Sequence, residues 1–225
     1  MTDVVRWPGA TLVLDGSLGP ITLARLQDEL LLGVRVAART AAPAMVGPAE
    51  QLLPLVQELM ALAPAAAVAR VVVGSGPGSF TGLRAAAAFA KGIAHGGGVP
   101  LLAVPSLALL AADAVERGAV DDRDEVVASI DALRGERFVQ HFGVDRATGR
   151  VTRVGPVARV AAAPPDPRWV GPGCVVHAAP VAGAVRPAQL LAEAVSIAQW
   201  EPAYGRLAEA QVQWEAGQLG APAAP

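Results

Sequence analysis

A strand, an aspartate, a turn and a returning strand occur twice in this chain, about half its length apart. In the first copy, Thr11-Leu12-Val13-Leu14 is apolar and stops at Asp15-Gly16-Ser17, a turn composition. Ile21-Thr22-Leu23-Ala24 then returns. In the second, Val126-Val127-Ala128-Ser129-Ile130 ends at Asp131, Arg134-Gly135-Glu136 turns, and Arg137 to Phe142 alternates as a strand. Internal repetition of this kind constrains architecture before any single residue does. It predicts two related α/β halves, a size of fold that 225 residues, 53% of them hydrophobic, can fill with a real core.

Between the copies the sequence alternates helix and strand. Glu50 to Ala63 has helical spacing, with Leu52, Val56, Leu59 and Ala63 in one row and Leu55 beside it. Pro54 predicts either a start near Leu53 or a bend. Arg70 to Val73 and Pro100 to Val104 read as buried strands, and Phe80 to Ala94 as an Ala-rich helix. After Arg150 come Pro-rich loops, a strand pair around Gly171-Pro172-Gly173, and a helix from about Pro187 to Gln199. A disordered tail is expected over Gly220 to Pro225. The alternation argues for an α/β fold.

A loop between a buried strand and a helix carries the most information. The run Val71 to Leu102 contains Gly76-Pro77-Gly78-Ser79. It lacks the Lys of a Walker A loop, and a dinucleotide fingerprint fails by one position because Ser79 stands where the third Gly belongs. Two readings remain open: an anion site on the helix N-terminus, or a tight connection that binds nothing. Asp15 and Asp131 divide in the same way, between organising a metal-nucleotide and capping their own turns. Ser79 and Thr81 are candidate helix caps, and Arg134 with Glu136 a candidate ion pair.

Charge and composition narrow the partners. The formal net charge is -2, which gives the whole chain no electrostatic footprint for nucleic acid. A single cysteine, Cys174, forbids an internal disulfide and fits a reducing compartment. Residues 1–10 show no signal-peptide pattern, and no apolar run reaches the roughly 18 residues of a membrane span. The three histidines, His95, His141 and His177, have no ligand spacing. Against 17 Arg there is one Lys, Lys91, which marks it for a test.

Both helices look too apolar for one-sided packing. On the second, Leu83, Ala87, Ala90 and Ala94 share an arc, Ala86, Phe89 and Ile93 the next. Only Arg84, Ala88, Lys91 and His95 form a polar-edged stripe. Either the chain's own second half covers the outer side, or a partner does.

The segment Gly76-Pro77-Gly78-Ser79-Phe80-Thr81-Gly82-Leu83-Arg84, followed by Ala90-Lys91-Gly92, resembles the signature of the TsaB family, also called YeaZ. Glu50 to Pro54, Asp131 to Glu136 and Glu201-Pro202-Ala203-Tyr204 are similar to further family segments, in the family's order. The resemblance implies an actin-like, sugar-kinase-type ATPase fold of two duplicated RNase H-like lobes with a degenerate nucleotide site. The expected lobes are 1–108 and 109–199, with 200–225 returning to the first. It implies a cytoplasmic, non-catalytic scaffold and activator of TsaD in threonylcarbamoylation of the tRNA adenosine beside the anticodon. TsaD would be its heterodimer partner and TsaE would join a larger complex. The chain would touch tRNA only indirectly and have no membrane role. ATP, metal and threonylcarbamoyl-adenylate are expected on partner subunits, with no cofactor or metal here. The wide apolar arcs and the polar-edged stripe of the two helices put the expected partner face on Leu52, Leu55, Val56, Leu59, Arg84, Ala87, Ala88, Lys91 and His95, a region where the resemblance implies a competing homodimer. TsaD-like enzymes hold a metal through a His-x-x-x-His just after the strand matching Leu101 to Val104; here Ser106 and Leu110 stand at those places. The rival expectations are a metallopeptidase-like (M22) or ATP-dependent small-molecule enzyme, and an independent homodimeric regulator.

Overall fold

A computed structural model gives the fold, and it describes residues 7–38, 47–120, 122, 124–161, 168–174, 176–177 and 182–205. The first sheet begins with an antiparallel meander: β1 (Ala10–Asp15), β2 (Ile21–Gln27) and β3 (Leu30–Ala37). Helix α1 (Pro48–Ala61) follows. Strand β4 (Val68–Gly74) then runs parallel to β1 on its free side. Helix α2 (Phe80–Gly97) leads to β5 (Leu101–Val104), parallel to β4. Helix α3 (Ser106–Glu116) connects to the second sheet.

The second sheet repeats the plan. Strands β6 (Glu125–Leu133) and β7 (Glu136–Asp145) are antiparallel. β8 (Arg150–Arg153) and β9 (Ala158–Ala161) both pair with β7, sharing the place that β3 holds in the first sheet. Pro156 lies in the break between them. β10 (Trp169–Val170) pairs parallel with β6, as β4 does with β1. A 3-10 turn, α4 (Val185–Ala188), a second 3-10 turn and β11 (Glu193–Ala194) follow, and β11 returns to the first sheet beside β5. The orders β11-β5-β4-β1-β2-β3 and β10-β6-β7-β8 share a four-strand core. The fold is therefore α/β and duplicated, the actin-like arrangement.

Three expectations change. No helix spans Pro187 to Gln199. Residues 193–194 pair with the edge of β5 and the Val195 N–H donates to the Leu101 carbonyl, so edge pairing overrides local helical tendency. The Pro-rich stretch after Arg150 contains two strands rather than only loops. Helix α1 starts at Pro48 and runs through Pro54. Pro54 is exposed, where water can serve the Glu50 carbonyl that its ring leaves unbonded. The expected tail at Gly220 to Pro225 lies outside the described residues.

Two cores flank the first sheet. Leu12, Leu14, Ile21, Leu23, Val71 and Val73 face α1 and α2. Val13, Ala24, Leu26 and Val72 face the other way, into one cluster with α3 and the second sheet. Helix α3 is apolar nearly all round and buried from Ser106 to Ala114, which suits an element clamped between layers. Among the described residues, no helix is long and apolar enough to cross a membrane.

Candidate functional site

The Gly-Pro-Gly loop packs backbone to backbone on the first hairpin. The Ser79 N–H donates to the Ser17 carbonyl at 2.6 Å, and a Cβ at Gly78 would overlap that same Ser17 backbone. Gly16 and Gly82 face each other so closely that a Cβ on either would overlap the other's carbonyl oxygen. Ser79 caps α2, its Oγ accepting from the Gly82 N–H at 3.3 Å. Of the two readings of this loop, the tight connection accounts for every one of these contacts.

Both aspartates cap their turns. Asp131 Oδ1 accepts the Leu133 N–H at 2.7 Å. Asp15 Oδ1 accepts the Ser17 N–H at 2.9 Å and the Ser17 hydroxyl at 2.6 Å. Asp15 does more, because it is wholly buried. The Ser106 hydroxyl donates to its Oδ2 at 2.5 Å and accepts the Gly76 N–H at 3.0 Å. Asp15, Ser106 and Gly76 therefore tie β1, α3 and the loop together. The Cβ of any other residue at Gly74 would overlap the Asp15 carboxylate. The Asp15 carboxylate is engaged by Ser17 and Ser106 within the fold. Ser106, at the first position where the resemblance implies a histidine in TsaD-like enzymes, makes these bonds, and Leu110 at the second is fully buried.

Burial pushes the Asp15 carboxyl above the ordinary carboxylate value, against the lowering effect of the bonds from Ser106 and Ser17. A raised folded-state value means that this group stabilises the fold most below about pH 4 and loses that contribution as pH rises through the raised value. Asp15→Asn removes the ionisation. Measured by thermal melts, the Tm of the wild type should fall relative to that of Asp15→Asn from pH 4 to pH 8. A constant or widening advantage of the wild type would contradict the raised value.

A cleft of ≈ 270 Å³ separates the lobes, lined by Ser17, Gly78 and Ser79 on one side and by Ile130, Asp131, Leu133 and Phe138 on the other. Ligand sites for small molecules usually hold about 300–1,000 Å³. Among the described residues, no three His, Cys, Asp or Glu side chains cluster as metal ligands. His141 instead pairs with Glu125 at 2.5 Å, and Glu136 pairs with Arg159 at 3.2 Å. Cys174 is half-buried, with its sulfur 3.4 Å from the Arg137 guanidinium.

The expected partner face is split by burial. Leu52, Val56, Leu59 and Ala87 are buried in the chain's own core, because period-3.6 spacing aims them at the sheet; this corrects their placement on a partner surface. Leu55 and Lys91 are half-buried, and Arg84, Ala88 and His95 are exposed. On α1, Leu53 is 58% exposed; Leu62, which caps the C-terminus, is 46% exposed and lies against Gly33 of β3. On α2, a Cβ at Gly92 would meet nothing within 4 Å. The second lobe lies on the opposite side of the first sheet.

Lys91 has a partner within the chain. Its Nζ is 3.2 Å from Glu201 and 5.8 Å from the centre of the Trp200 ring. The Tyr204 ring packs on the Phe80 ring with centres 4.6 Å apart, and the Arg84 guanidinium lies over the Phe80 ring, 5.2 Å from its centre. Ser106 and the Glu201–Tyr204 segment were visible in the sequence, but the bonds that Ser106 makes to Asp15 and Gly76 and that Glu201 makes to Lys91 were not.

Comparison with known proteins fits this geometry. The family model "TsaD: tRNA N6-adenosine threonylcarbamoyltransferase" matches residues 47–155. The tRNA threonylcarbamoyladenosine biosynthesis protein TsaB of Haemophilus influenzae is 35% identical over 91 residues, 40% of this chain; the match spans only 37% of that relative's length. An uncharacterized protein of Mycobacterium tuberculosis is 35% identical over 175 residues, 75% of this chain and 72% of its own. The solved structure of YeaZ from Pseudomonas aeruginosa superposes with a TM-score of 0.68 at 26% identity, covering 87% of this chain and 99% of that one. With the Gly-Pro-Gly signature, the duplicated sheets and the near-complete overlay agreeing, the chain belongs to the TsaB/YeaZ family.

Proposed function

We propose that this chain is a non-catalytic subunit of tRNA threonylcarbamoyladenosine biosynthesis, which docks on a TsaD-type subunit and supports its activity, with TsaE in a larger assembly. The relatives' names supply the pathway. The observation that carries the docking role is the outer side of α1 and α2. It exposes Leu53, Ala88 and the open Gly92, and the second lobe packs on the far side of the sheet. Small residues on such a face let another helix approach closely. The non-catalytic role draws support from the enclosed Asp15 and from Ser106 and Leu110 at the places where TsaD-like enzymes are expected to carry histidines.

Ala88→Glu tests the face. A carboxylate there stands one turn from Arg84 and Lys91, so the isolated chain should fold normally and change by no more than about 0.5 kcal/mol. Against a partner helix, overpacking costs about 1–3 kcal/mol and an unpaired buried charge more. Complex formation with TsaD on size-exclusion chromatography should therefore drop at least about tenfold, with circular dichroism unchanged. Wild-type affinity in the variant would put the interface elsewhere. If the wild type forms only a homodimer and never binds TsaD, the scaffold reading fails in favour of self-association.

A further inference from the structure

The segment after β11 makes contacts that neither the family signature nor the docking face requires. From Trp200 to Gly205 it touches both lobes within six residues. Glu201 holds Lys91 on α2, and the Glu201 carboxylate also accepts the Tyr204 hydroxyl at 3.4 Å. The Tyr204 ring packs on Phe80 in the first turn of α2. The Ala203 N–H donates to the Ser75 carbonyl at 2.8 Å, and the Ala203 carbonyl presses on Gly76 so closely that only glycine fits there. At Gly205 the chain reaches the second lobe. A Cβ there would lie 2.7 Å from the Phe138 ring of β7 and 2.8 Å from the Pro77 side chain.

Phe138 and Gly78 line opposite walls of the inter-lobe cleft, and Pro77 precedes Gly78. The segment therefore crosses the rim where the two walls meet. The lobes share a buried core through α3, but the cleft lies outside it, and a segment that spans its rim limits local opening there. We propose that Trp200–Gly205 is a clasp that holds the inter-lobe cleft closed, anchored on α2 by Lys91 and Phe80 and pressed on the second lobe at Phe138. Its anchors are exposed or half-buried: the Glu201 side chain is 69% exposed and the Lys91 side chain 19%. Such contacts break at low cost, which suits a device that opens. The clasp shares Lys91 with the edge of the proposed docking face, so an event on that helix is transmitted to the cleft.

Hydrogen exchange on the full chain tests this. In Glu201→Ala/Tyr204→Ala, amides of Leu133 to Phe138 and of Gly76 to Ser79 should exchange about tenfold faster or more, while α1 and α3 keep wild-type protection. Glu201→Lys should do the same by repulsion, and adding Lys91→Glu should restore slow exchange by reversing the pair. Unchanged exchange at Leu133 to Phe138 would overturn the clasp. So would a uniform increase that includes α1 and α3, or a failure of the charge reversal to restore protection. None of these outcomes depends on TsaD, so they stand apart from the docking experiment.

Discussion

Gly82→Ala is expected to destabilise the fold by about 3 kcal/mol or more, although alanine is the better helix former. On propensity alone the change gains about 1 kcal/mol in a helix interior. Sterics decide otherwise. The added Cβ would overlap the Gly16 carbonyl oxygen and lie 3.1 Å from the Gly19 carbonyl oxygen. Neither obstacle is the end of a flexible side chain, so relief requires moving the hairpin turn itself. That turn also holds Ser17 against Ser79 and Asp15 against Ser106, so a shift would strain both sets of bonds. Overpacking costs typically about 1–3 kcal/mol where side chains can yield, and more where only backbone is present. Gly92→Ala is the internal control. It lies on the same helix, its Cβ would meet nothing within 4 Å, and it should gain about 0.5–1 kcal/mol. Urea melts of the two variants should therefore move in opposite directions. Two shifts of the same sign would mean that the close approach of α2 to the hairpin is not what fixes glycine at 82.

The contrast between these glycines shows where sequence reading works and where it stops. The duplicated hairpins, α1, α2, β4 and β5 were legible because each is a local pattern: period two or 3.6, with Asp, Gly or Pro as punctuation. The Gly-Pro-Gly loop was legible as a motif, but its two readings differed only in what stood opposite, and that is a long-range fact. Helix α3 went unread because Leu107 to Ala112 is apolar on every side, so no face stands out from its neighbours. β3 went unread for a related reason. Leu30-Leu31-Leu32 lacks alternation, and Leu30 remains 69% exposed on the sheet edge.

The candidate site was half legible on the same grounds. Helical periodicity identified which residues of α1 and α2 share a face, but not which face meets water. Apolar spacing therefore put Leu52, Val56 and Leu59 on a partner surface, when the strongest apolar row of a helix belongs to its own sheet. The exposed positions on these helices are those that break the row, Leu53 and the Ala88–Gly92 step. Lys91 stood out in the sequence as the single lysine. Its contact, Glu201, is 110 residues away and invisible to any local pattern.

Replacing Arg25 by methionine is expected to cost about 3 kcal/mol and to loosen α1 before the rest of the fold. Period two puts Arg25 on the same face of β2 as Ile21 and Leu23, and that face is covered by α1. Its side chain is fully buried. The guanidinium donates to the carbonyls of Met60 at 2.8 Å, Ala63 at 2.8 Å, Ala66 at 2.7 Å and, more weakly, Leu59 at 3.3 Å. These carbonyls belong to the end of α1 and the turns after it, where a helix leaves its last acceptors unpaired. The last turn of α1 contains no basic residue of its own, so a cation from β2 supplies both the donors and the charge that the helix terminus favours. Methionine matches the volume but donates nothing, leaving several buried acceptors unsatisfied at about 1–3 kcal/mol each before relaxation. Lysine keeps the charge without the planar fork, so Arg25→Lys should recover only part of the loss. Urea denaturation gives the global cost, and hydrogen exchange along Leu55 to Ala61 shows whether α1 frays first. A loss below about 1 kcal/mol for Arg25→Met would mean that solvent or a rearranged turn satisfies those carbonyls, and that α1 is held by its apolar row alone.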